Sequence, residues 1–261
     1  MNAGMQGQHA VVTGGGRGIG AAIAEALAAQ GAHVTVMART ASAVEEMAQS
    51  LRNRFNTSAH GVACDVSNPG DVTRAFAEAV ATFGAVRMLI NNAGQGKAEA
   101  FEAISLETWN SLIAVNLTGT LLCTQRVLPS MLAARAGRVV NVASTAGLKG
   151  YAGLAAYCAT KHGVVGLTRA LAAETARSGI TVNAVCPGYT EGTEMFRTAV
   201  DNVMRTRSTS ADEARALLAK HSPRRMLITP QEVADAVLWL CSPGATAITG
   251  QAIAVASGEV M

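Results

Sequence analysis

The 261-residue chain predicts a single-domain α/β fold: a doubly wound parallel sheet of about seven strands with helices on both faces. Three observations predict it. Short apolar runs alternate with alanine-rich stretches of helical spacing along the whole length. Those runs are too apolar to have a wet side, as strands covered on both faces must be. A composition of 49% hydrophobic and 15% charged residues supplies enough apolar surface for a deep core and for subunit contacts. The length fits too, since folds of this kind often reach ~250 residues as one unit.

The strand-like runs fall at residues 9–13, 33–38, 59–63, 87–91, 138–143, 180–186 and 252–256. Helical spacing is found at 19–30, 44–55, 72–83, 106–134, 154–178 and 231–240. Gly31 closes the first helix, Asn68 and Pro69 open the third, and Pro230 stands near the start of the last. Residues 190–223 read as an irregular insert. They leave the sixth strand at its carboxyl end, where a doubly wound sheet binds ligands, and so are expected to form a mobile lid.

A net charge of +3 is too small for a nucleic-acid partner, which needs a concentrated basic face. The stretch from Arg197 to Arg225 is nevertheless basic, with Arg197, Arg205, Arg207, Arg215, Lys220, Arg224 and Arg225 against Asp201, Asp212 and Glu213. No apolar run is long enough for a membrane span and the N-terminus lacks a signal-peptide pattern, so a cytoplasmic protein is expected. The five scattered cysteines have no CxxC spacing and read as core residues. Glu191 and Glu194 lack metal-ligand partners, His162 reads as a packing or surface residue, and His9, His33, His60 and His221 do not cluster in the sequence; no catalytic metal is expected. The segment 226–228 reads as core.

The first strand runs into Thr13-Gly14-Gly15-Gly16-Arg17-Gly18-Ile19-Gly20 and then a helix. Glycines let a backbone approach a pyrophosphate, and the helix N-terminus beyond offers free N–H groups and partial positive charge. A tight turn is the plainer reading, but a strand before and a helix after favour a dinucleotide. At the end of the second strand an acidic residue would hold an unphosphorylated ribose. Ala38 and Arg39 stand there instead, so Arg39, with Arg17 as a second clamp, favours NADP(H) over NAD(H) by pairing with a 2′-phosphate. Both arginines are alternatively solvated surface charges. Asp65, before Val66, is placed to accept from an adenine amino group, or simply shapes the turn into the next helix.

Tyr157 and Lys161 stand four residues apart in an alanine-rich helix, hence on one face and a turn apart. Lowering a phenol pKa by ~3 units takes about 4 kcal/mol. A cation about 4 Å away supplies roughly that at an effective dielectric of ~20. With the glycine loop, Asn91-Asn92-Ala93-Gly94, Asn116, Ser144, Pro187 and Gly188, this pair resembles the short-chain dehydrogenase/reductases almost end to end. The resemblance implies a Rossmann-type fold, a homotetramer, and an NAD(P)-dependent interconversion of ketone and secondary alcohol. It implies Tyr157 as proton carrier, Lys161 biasing it and holding the ribose, Ser144 on the substrate oxygen, and Asn116 holding a relay water. It assigns the cofactor to Gly14, Gly16, Arg17, Gly18, Ile19, Gly20, Arg39, Asp65, Val66, Asn92, Ala93, Gly94, Tyr157, Lys161, Pro187 and Gly188, with either Thr190 or Thr193 on the nicotinamide amide.

Within that family the chain is most similar to the reductases of 3-oxoacyl thioesters carried on coenzyme A or an acyl carrier protein. The basic stretch from Arg197 to Arg225 suits a CoA tail, and Gln95, Tyr151 and Tyr189 are expected in the pocket wall with Ser144. Three departures stand against it: an extra residue after Pro187, Pro129 where a carrier protein would meet a base, and the ending Ala256-Ser257-Gly258-Glu259-Val260-Met261. A small-ketone or secondary-alcohol dehydrogenase is the alternative, and a non-catalytic nucleotide sensor a second.

Overall fold

In the computed structural model, which describes residues 5–260, each apolar run becomes a parallel strand. The strands are β1 (His9–Thr13), β2 (His33–Ala38), β3 (Ala59–Ala63), β4 (Val86–Asn91), β5 (Gly137–Val142), β6 (Ile180–Pro187) and β7 (Ala252–Val255). They form one sheet in the order β3-β2-β1-β4-β5-β6-β7. The order reverses between β1 and β4, so their connections diverge and leave a crevice at the carboxyl edge.

Alternation along β1 shows how both faces are covered. Val12 points into a core with Val34 and Val36, completed by Ile23 and Leu27 of α1 (Gly18–Ala29), Leu51 of α2 (Ala41–Phe55) and Val237 and Leu240 of α9 (Pro230–Cys241). Val11 points the other way, toward Leu89, Val139, Phe76 of α3 (Pro69–Phe83) and Val127 and Met131 of α5 (Gly119–Ala134). Each such fully buried side chain contributes about 1.5–3 kcal/mol. All five cysteines are free and buried, as small core residues.

The long helix expected over 106–134 is broken. α4 (Leu106–Ile113) passes into a π-turn at Ala114–Thr118 before α5 begins. A layer of amides and hydroxyls locks α5 and the helix after β5 to the sheet. Asn91, in register with Asn141 on the next strand, donates to Asn141 Oδ1 at 2.9 Å and to Thr124 Oγ1 of α5 at 3.0 Å. Asn141 in turn donates to Thr168 Oγ1 at 2.9 Å, fixing α6 (Ala155–Thr175), the helix that carries Tyr157 and Lys161.

Residues 190–223 are not irregular. They fold into α7 (Glu194–Arg207) and α8 (Ala211–Ala219), capped by Thr193 and by a Ser210–Glu213 capping box. Phe196, Val200, Ala214 and Leu218 bury a small core between them. The segment 226–228 is core only at its end, where Ile228 is buried while Met226 is exposed. At the amino edge of the sheet, His9 and His33 do meet in space around Phe83, with ring centroids 5.5 and 5.3 Å from it.

Candidate active site

A single cleft of about 850 Å³ runs along the carboxyl edge of the sheet from the glycine loop to α7. Its floor is tied together from two strand ends. Thr13 Oγ1 accepts from the backbone N–H groups of Asn92 and Ala93, both at 3.1 Å, and Asn92 Nδ2 donates to the carbonyls of Thr13 and Gly14 at 3.0 Å. The approach is so close that a Cβ on Gly14 would lie 2.9 Å from Ala93 Cα, and one on Gly20 would lie 2.2 Å from the Gly14 carbonyl oxygen. Gly14 and Gly18 also have positive φ angles of 64° and 56°. The loop is therefore packed backbone to backbone at Gly14 and Gly20, which leaves no room for a side chain at either position.

Gly14, Gly16, Arg17, Gly18, Ile19, Gly20, Arg39, Asp65, Val66, Asn92, Ala93, Gly94, Pro187, Gly188, Thr190 and Thr193 all line this cleft. Arg39 is exposed at its mouth and has no ion-pair partner among the described residues. Arg17, expected as its companion, instead pairs with Glu194 at the start of α7. Asp65 Oδ1 accepts from Ser67 N–H at 2.9 Å and from its hydroxyl at 2.7 Å, so this carboxylate does shape a turn while facing the cleft. Thr190 is buried and donates to the Gly188 carbonyl at 3.0 Å. Thr193 donates to the Thr190 carbonyl at 2.8 Å and packs its methyl group toward Gly18.

Ser144, Tyr157 and Lys161 converge at the inner end. Ser144 follows β5, and its Oγ accepts from Ala146 N–H at 3.1 Å. The turn after it lies flat on α6 because residue 147 is glycine: a Cβ there would be 2.7 Å from the Lys161 carbonyl oxygen. The Lys161 Nζ donates to the Val142 carbonyl at 2.9 Å and lies 5.7 Å from the Tyr157 ring centroid.

Burial works against the acidity expected of Tyr157. Burial pushes the phenol up to about 12, against which the Ser144 hydroxyl, bonded to it, pulls down. Burial also brings the Lys161 ammonium down to about 8. For both groups desolvation by burial is the largest influence, opposing the charged form of each. Tyr157 is thus a buried phenol beside a buried amine that holds its proton less tightly than a free lysine.

Asn116 lies in the π-turn. Its Oδ1 accepts from Gln95 N–H at 2.8 Å, and its Nδ2 donates to the Gln95 carbonyl at 2.9 Å and to Thr160 Oγ1 at 3.0 Å. With protein partners on both ends, the side chain pins the 94–95 turn to α6. Gly94 permits this, since a Cβ would sit 3.3 Å from Asn116 Oδ1 and 3.6 Å from Lys161 Nζ.

Gln95, Tyr151 and Tyr189 line the same cleft. Gln95 is turned aside to Ser111 Oγ at 2.7 Å. Sequence reasoning missed Met195, whose thioether lies over Gly96, with Cε 3.1 Å from a Cβ built there and Tyr157 Cδ2 only 3.6 Å from the same point. It also missed Thr13 as the floor's acceptor, Phe196 and Leu154 in the wall, and Glu259 behind Gly188. A Thr-x-x-aromatic cap before a helical apolar spacing was the available signal for Met195 and Phe196; Glu259 had none beyond its departure from the family's ending. Among the described residues no group of His, Cys, Asp or Glu is arranged to hold a metal ion, and no helix is long and apolar enough to cross a membrane.

A family model described as short chain dehydrogenase matches residues 8–203. The chain is 40% identical over 251 residues to the granaticin polyketide synthase putative ketoacyl reductase 1 of Streptomyces violaceoruber, covering 95% of this chain and 92% of that one. It is 37% identical to a 3-oxoacyl-[acyl-carrier-protein] reductase of Aquifex aeolicus, covering 97% and 98%. Identity to the 2-(S)-hydroxypropyl-CoM dehydrogenase 3 of Xanthobacter autotrophicus is 38%, covering 95% and 94%. A crystal structure of actinorhodin polyketide ketoreductase with NADPH superposes with a TM-score of 0.93 at 39% identity over 97% of both chains.

Proposed function

Because the chain belongs to the short-chain dehydrogenase family, we propose that it reduces the ketone of a 3-oxoacyl-type substrate to a secondary alcohol with NADPH. The observation that carries this reading is the meeting of Ser144, Tyr157 and Lys161 with the glycine loop in one cleft. The cleft fits the dinucleotide: bare backbone at Gly14 and Gly20, a free Arg39 where a 2′-phosphate would lie, and Ala38 rather than an acid beside it. When bound, NADPH supplies a hydride to the carbonyl carbon.

The chain's own residues manage the oxygen. Ser144 turns its hydroxyl from the phenol to the carbonyl oxygen and stabilises charge as it develops. Tyr157 gives its phenolic proton to that oxygen, completing the hydroxyl. Its high pKa makes the proton available over the physiological range. Lys161, at about 8, exchanges protons readily near neutrality and restores the phenol afterwards, a role different from acidifying it in advance. Asn116 holds the 94–95 turn, and through it the space beside the Lys161 amine.

The acyl carrier is proposed to be a phosphate-bearing tail, coenzyme A or a carrier protein. All seven bases between Arg197 and Arg225 are exposed and none of them makes an ion pair among the described residues, while Arg205 lines the cleft. Exposed Phe101, Leu106, Trp109 and Leu121 support packing against partner subunits, and the family resemblance is the ground on which a cytoplasmic homotetramer is proposed as the working form. A second reading, a secondary-alcohol dehydrogenase of small substrates, is favoured by the likeness to the hydroxypropyl-CoM enzyme. Initial rates with NADPH and NADH, on a 3-oxoacyl thioester and on its short simple ketone, separate the two. Equal kcat/KM for both carbonyls overturns the acyl reading, and NADH preferred by about tenfold overturns the role of Arg39.

A further inference from the structure

The C-terminal turn places a carboxylate behind the wall of the cleft. Ser257 and Gly258 take positive φ angles of 50° and 85°, turning the chain so that Glu259 points inward, and Gly258 packs on Pro223 at the end of the insert. The Glu259 side chain is only 3% exposed. One oxygen, Oε1, accepts the proton of Tyr151 and faces Lys149 Nζ at 3.4 Å. The other, Oε2, is 3.0 Å from where a Cβ of Gly188 would be. Lys149 Nζ also donates to the Glu259 carbonyl at 3.3 Å and stands over the Tyr151 ring, 4.9 Å from its centroid.

A phenol has one proton. With it committed to the carboxylate, Tyr151 Oη accepts from the Thr145 hydroxyl at 2.7 Å, and Thr145 adjoins Ser144. Tyr151 therefore lines the cleft with its proton already committed and cannot donate it to a ligand. A buried carboxylate with so few partners is costly unless they stay in place, which makes this contact stiff. Glu259 touches both loops that wall the substrate side, 149–151 and 187–189, and belongs to neither.

We propose that Glu259 is a positioning residue for substrate selection: its carboxylate holds Tyr151 as a fixed wall and so limits the bulk of the acyl group admitted. This rests on the reductase reading above. The test compares wild type, Glu259→Ala, Glu259→Gln, Tyr151→Phe and the Glu259→Ala/Tyr151→Phe double variant on a short and a long 3-oxoacyl thioester, by kcat/KM and by calorimetric Kd. Glu259→Ala is expected to raise the long-to-short ratio about tenfold through KM and Kd, with kcat on the short substrate and KM for NADPH within about twofold of wild type. Glu259→Gln, which keeps an acceptor for the phenol and loses the charge facing Lys149, should fall between them and serves if the alanine variant does not fold. The double variant should add little to either single change. A ratio unchanged in folded Glu259→Ala or Glu259→Gln, or additive effects in the cycle, overturns the proposal. Absence of turnover by wild type on every carbonyl would defeat the reductase reading instead, and the Kd ratios would then judge Glu259 alone.

Discussion

The floor of the cleft and the insert that covers it are built differently. Ser144, Tyr157 and Lys161 sit on strand ends and a helix that hydrogen bonds fix to one another across β4, β5, α5 and α6. The α7–α8 pair buries four apolar residues of its own, Phe196 the largest, and meets the floor through a few side chains, Met195 and the Arg17–Glu194 pair among them. Rigidity is concentrated where atoms react, and adjustability is left where substrates differ. Substitutions in the floor should therefore change kcat, and substitutions in the insert should change KM.

The sharpest break is Tyr157→Phe. It should lower kcat by about 10²- to 10⁴-fold, with NADPH binding and the unfolding midpoint unchanged, as stopped-flow assays, fluorescence titration and calorimetry would read. Arg39→Ala comes next, since it tests the cofactor end of the floor. KM for NADPH should rise about 10- to 100-fold while KM for NADH moves little, the loss expected for a charge-assisted contact with a phosphate.

The pH profile ranks third. Tyr157 keeps its proton up to about 12, so the group that titrates is Lys161 at about 8. Reduction needs the protonated amine, so kcat/KM should be level below that pH and fall by about tenfold per unit above it. A profile level to pH 10 would remove Lys161 from proton supply. The smallest effect belongs to the insert. Arg197→Ala with Arg205→Ala should raise KM for a CoA thioester about threefold to tenfold, less at high salt, and leave the simple ketone untouched.

The fold was legible because its signals are local. Strand limits read from apolar runs agree with the structure to within a residue, as at 87–91 against Val86–Asn91, because a strand buried on both faces is apolar through its middle, with Arg87 near the start of this one. Helix pair α7–α8 was misread although Ser210 and Glu213 spell a capping box, because its apolar residues are few and its surface is polar. The site residues were legible as a pattern. Their states were not, because the Lys161–Tyr157 separation and the loss of water around both depend on the fold and not on four-residue spacing. The saturation of Asn116 by Gln95 and Thr160 joins residues 21 and 44 positions away, which no local pattern encodes.

The π-turn at Ala114–Thr118 bears on how this chain can vary. A π-turn spreads about five residues over roughly the arc that four take in an α-helix, so it absorbs one residue and lets α5 continue at the azimuth it would have without it. Thr124 thereby keeps facing Asn91 while Asn116 is set off the regular helical track. Removing one residue there should straighten the helix and leave α5 seated on the sheet, with Asn116 the side chain that loses its place.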